Sequence, residues 1–197
     1  VATLILFSII LMLSFIPKWD HQKDRSLDGS FADVWKNKFF ISVIPMGLLN
    51  YGGLMAIQTL WAGPWMTRVA GYSPLESATG LFWINITMLV SFFLWGYFLP
   101  KITNLGFSAF KILKLGLPLS FLVMLTIILL GPKAGASYIA LFILSSIFLS
   151  VIQPAVGLSF QCHLAGKALT SFNLLIFLGT FIMQWFIGLV IDLVKGL

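Results

Sequence analysis

Residues 39–66, FFISVIPMGLLNYGGLMAIQTLWAGPWM, decide the fold, because they run from end to end without a charged side chain. An α-helix rises about 1.5 Å per residue and a bilayer core is about 30 Å thick, so roughly 20 such residues cross it. The stretch therefore reads as a membrane span. It is not uniformly apolar, since Asn50, Tyr51 and Gln58 fall at depths where a polar group is costly unless it faces protein or water. At about 100° per residue, Gly47, Asn50, Tyr51, Leu54, Gln58 and Trp61 share one arc of roughly 100°. The opposite arc carries Leu48, Gly52, Ala56 and Thr59, with Gly52 and Ala56 at the spacing that lets two helices approach closely. One side is expected to pack and the other to look into a cavity.

The remainder of the chain extends this reading. Hydrophobic residues make up 59% and charged residues 9%, and the mean hydropathy is +1.02, outside the norm for soluble domains. The apolar runs are long and do not alternate residue by residue, which favours an all-α polytopic membrane protein over a β-barrel. Further spans are expected at about 75–99, 115–131, 137–158 and 169–194, after a first span at 39–62. Residues 1–16 read as the end of a truncated span, and 17–38 as a cytoplasmic central loop. Within that loop Ser30 and Asp33 have the spacing of a helix start, and Phe31, Val34 and Trp35 give the short helix an apolar edge suited to the membrane surface. Ser73, Pro74 and Glu76 mark the start of the second full span.

The net charge of +6 forms no extended basic face, so it speaks for membrane orientation and against nucleic acid. With the central loop inside, Lys18, Lys23, Arg25, Lys36, Lys38, Lys101, Lys111, Lys114 and Lys167 fall on the cytoplasmic side, and only Arg68, Lys133 and Lys195 outside. Other chemistry is weakly supported. Cys162 and His163 are adjacent, and neighbours on a helix do not face each other. His21 has no metal-spaced partners, and there is no Gly-rich phosphate loop with Lys. No cofactor and no enzymatic activity are expected.

The spans are of two kinds. Residues 1–16 and 115–130 hold only scattered Ser, Thr, Gly and Pro and can face lipid nearly all round. By contrast Phe142, Ser146, Ser150, Gln153 and Gly157 fall on one stripe, as do Asn173, Phe177, Thr180, Gln184 and Gly188. In the span 75–99 Asn85 stands out, with Phe82, Leu89, Phe92 and Gly96 on its side. The candidate cavity-lining set is therefore Asn50, Tyr51, Gln58, Trp61, Asn85, Gln153, Asn173 and Gln184. The alternative is that these side chains only bond helices together in a non-transporting scaffold or sensor.

On these residues the chain resembles the major facilitator superfamily of secondary transporters, from the end of the sixth helix through helix eleven. The turn Gly96-Tyr-Phe-Leu-Pro-Lys-Ile-Thr-Asn-Leu-Gly106 is similar to that family's G-x-x-x-D-R-x-G-R-R loop at Gly96 and Lys101, with Pro100 where the Asp is expected. LWAGPW and the segment AGKALTSFNLLIFLGTFIMQWFIGLVID resemble permeases of the same family. The resemblance implies an MFS-like helical bundle in which the third helix of each three-helix repeat faces lipid. It implies alternating access to a small-molecule substrate in the plasma (inner) membrane, together with a missing N-terminal half and last helix. No ionisable residue lies mid-span, so a proton-coupling group is expected in that other half.

Overall fold

The computed structural model describes residues 29–195. The expected truncated span 1–16 and the polar stretch up to residue 28 lie outside the described residues. The chain is all-α. A short helix α1 (Phe31–Lys36) precedes α2 (Lys38–Arg68), α3 (Pro74–Asn104), α4 (Ala109–Leu130), α5 (Ala136–Leu158) and α6 (Cys162–Lys195). Five of these are long and apolar enough to cross a membrane, so the chain is a multi-pass membrane protein.

Local chemistry fixes the helix starts. The Ser30 N–H donates to Asp33 Oδ2 at 2.7 Å while the Ser30 hydroxyl caps α1. Ser73 and Glu76 repeat the device at α3, with Pro74 at the first helical position. Asn37 caps α2, its Oδ1 accepting from Phe39 and Phe40. The helices outrun the apolar spans at several ends. Helix α3 continues through Pro100 to Asn104 and α6 begins at Cys162, because hydrophobicity marks the lipid slab and not the hydrogen-bond ladder. Past the expected end of the first span at 62, the chain stays helical as far as Arg68. Pro64 lies in that stretch, three residues past the second π segment.

The bundle is built by cross-pairing. Helix α2 lies along α6 and α3 along α5, while α4 packs mainly on α5. Exchanging α2 with α5 and α3 with α6 leaves that pairing unchanged. Helix α5 is central, with 50% of its apolar window buried against 11% for α3 and for α4. Helix α4 is therefore peripheral, as its plain sequence suggests, but so is α3, which turns Phe82, Trp83, Phe93 and Tyr97 outward. At the basic end of the bundle α1 is strapped to α6, where Lys167 donates to the Gly29 carbonyl, and to α2, where Trp35 meets Phe40 edge to face; Val34 is fully buried.

Candidate functional site

Helix α2 is not one continuous α-helix. It widens into π-helix at Met46–Tyr51 and again at Ile57–Trp61, and these two segments hold all four α2 candidates: Asn50, Tyr51, Gln58 and Trp61. Pro45 directly precedes the first segment, and its missing N–H breaks the α ladder at that point. Between the two segments Gly52 meets α6 so closely that a Cβ there would lie 2.6 Å from the Gly179 carbonyl carbon. The seam is backbone on backbone.

Each π turn inserts a residue relative to the α repeat. The arc expected to line one cavity is divided, with Tyr51 and Gln58 toward one edge of it and Asn50 and Trp61 toward the other. Gly47 packs on the Phe172 ring. Tyr51 and Gln58 line a small cavity of about 20 Å³ toward α3 and α5, with Met88, Ser91, Ser146 and Ser150. Asn50 lies on a cleft of about 610 Å³ facing α4, and Trp61 on an adjoining cleft of about 480 Å³. The eight candidates are not gathered into one cavity.

The small cavity has the more specific chemistry. Ser91, Ser146 and Ser150 each donate to a carbonyl of their own helix, at 2.6, 2.8 and 2.8 Å, so their oxygens present only lone pairs. Gln58 donates from Nε2 to Met88 Sδ, and its Oε1 is buried without a partner. The arrangement accepts hydrogen bonds and carries no charge. Its volume suits a single water, or one donor group of a larger solute.

The remaining candidates bond nearby. Gln153 Nε2 donates to Asn173 Oδ1 at 2.8 Å between α5 and α6, and Gln184 Nε2 donates to Thr59 Oγ1 at 3.0 Å between α6 and α2. Asn85 is exposed and donates to Leu81 O of its own helix at 2.8 Å. No family model, curated protein or solved structure matches the chain.

Met88 and Ser91 did not figure among the candidates, although a signal for them exists. Helix α3 buries Ser77, Gly80, Ile84 and Ser91, a series at spacings of three, four and seven that marks its packing face, with Met88 on the same side. Asn85 lies off that face. Among the described residues no group of three or more His, Cys, Asp or Glu could hold a metal, and Cys162 is exposed.

Proposed function

We propose that this chain is part of a secondary transporter of the major facilitator kind, moving a small solute across the cytoplasmic membrane by alternating access. The observation that carries the reading is which helices are broken. Helix α2 has its two π segments, and α5 has a 3₁₀ stretch at Ile147–Val151 followed at once by Gln153 and Pro154. These two helices exchange places in the cross-pairing, and interrupted spans at corresponding positions of a repeat are the best pointer to a transporter's site. Helices α3, α4 and α6 carry no such break.

On this reading Tyr51 and Gln58 meet the solute from α2, with Asn50 at the edge. Gln153 and Asn173 keep an oxygen and an amide N–H₂ free on the bundle surface, where a second, N-terminal half of the transporter would close the path. Gln184 is a lock between α6 and α2. A second reading, a non-transporting scaffold, is favoured by the Gln153–Asn173 and Gln184–Thr59 bonds, since amides that satisfy each other need no solute.

Thiol accessibility separates the two. In a Cys162→Ser background, Gln58→Cys should react with a membrane-impermeant maleimide applied from either face of the membrane, while Leu125→Cys on α4 should react from neither. A Gln58→Cys protein as inert as the Leu125→Cys control would leave the scaffold reading standing.

A further inference from the structure

The cleft of about 480 Å³ lies between the end of α2 and helices α4, α5 and α6, within the 300–1,000 Å³ range of small-molecule sites. Its walls are almost wholly apolar, with Ile127, Ile139, Phe142 and Ile187 forming the floor. Two groups break that pattern. Among the described residues Arg68, in the last turn of α2, is the only charged one that lines the cleft. Trp61 lines it too, and its indole N–H is buried without an acceptor.

A buried donor without an acceptor is a standing cost that a ligand oxygen removes. A guanidinium is always charged and offers a fork of donors matched to phosphate or carboxylate. Trp61 and Arg68 are two turns apart, about 10 Å along the helix, a separation that a long arginine side chain can shorten. An occupant must then bring one anionic head, one neutral acceptor a few ångströms deeper, and an apolar body that tolerates Ile and Phe on all sides. The volume admits one acyl chain and not a bulky pair.

We propose that this cleft is a binding site for a monoacyl phospholipid taken from the bilayer. The phosphate sits on Arg68, the ester carbonyl accepts from the Trp61 N–H, and the tail runs between α4 and α6 over Ile139 and Phe142. The cleft adjoins the larger one, the two sharing Ile57, Met124 and Phe142 as common wall. This lipid site stands whether or not Gln58 meets a solute.

The test uses the full chain in nanodiscs and a lysophosphatidylglycerol brominated in mid-chain, read by tryptophan quenching. Saturable quenching is expected. Arg68→Gln should weaken it roughly tenfold, as one charge-assisted hydrogen bond is worth, and a brominated monoacylglycerol should bind wild type as weakly. Trp61→Phe should weaken the ester lipid but leave its ether analogue, which lacks the carbonyl, unchanged. Ile139→Trp, which fills the floor, should abolish saturation while circular dichroism stays helical. Quenching that rises linearly with lipid, as it would if a further helix were seated in the cleft, overturns the proposal. So does saturable quenching indifferent to both Arg68→Gln and loss of the phosphate.

Discussion

Gly52 and Gly53 are neighbours in α2, yet they open onto two seams of opposite character. Gly52 faces Gly179 of α6, and a Cβ added at Gly179 would run into the Leu48 carbonyl. Gly53 lines the open cleft toward α4, and a Cβ there would meet only Met183 Cε at 3.6 Å. On the α4 side the residues facing that cleft include Leu117, Phe121 and Met124. In a bilayer the lipid tails are as apolar as the side chains, so helices close only where small residues let backbones touch. Backbone meets backbone where glycines are matched across the seam. The α4–α5 contact closes by a different route, with Gly116 on α4 leaving room for the Phe148 ring of α5.

The largest expected effect follows from the closed seam. Gly179→Val places a branched side chain against the Leu48 backbone and should cost about 3 kcal/mol, the upper range for overpacking with no flexible neighbour to yield. Reversible unfolding in mixed detergent micelles measures it, and a loss under about 1 kcal/mol would mean that α2 and α6 do not touch at Gly52 and Gly179. The open seam should behave in the opposite sense. Gly53→Ala removes a helix-interior glycine at an ordinary contact distance, and the same assay should show a gain of about 0.5–1 kcal/mol from backbone entropy alone. A loss at Gly53 comparable to that at Gly179 would erase the contrast between the seams.

Much of this was legible before the structure. The membrane class, the long apolar helices and the starts of α1 and α3 follow from hydropathy and from Ser30, Asp33, Ser73 and Glu76. The face of α2 that packs, with Leu48, Gly52 and Thr59, is also where the small-residue spacing puts it. What a regular wheel cannot show is the pair of π segments. An arc of roughly 100° is also wide enough to meet more than one cleft, and Tyr51 and Gln58 lie toward one edge of it, Asn50 and Trp61 toward the other. The partners of Gln153, Asn173 and Gln184 were equally hidden, because which amide meets which depends on how the helices cross. Met88 was passed over because a thioether carries no polar signal in sequence, although it receives the Gln58 amide.

The polar contact that fastens the closed seam should matter least. Thr59 donates to Met55 O at 2.6 Å and accepts from Gln184 at 3.0 Å, so Gln184→Ala and Thr59→Val each remove one member of a bond that crosses from α6 to α2. Interhelical hydrogen bonds in membranes average only about 0.6 kcal/mol, since the separated helices find other partners. A double-mutant cycle isolates that coupling from the packing lost with each side chain, and a value near 0.6 kcal/mol is expected. The glycine contact would then outweigh the bond about fivefold on the same helix pair, so the seam is held by backbone approach and only registered by the amide. A coupling of 2 kcal/mol or more would reverse that order, making the polar pair the clamp and the glycines merely the space it needs.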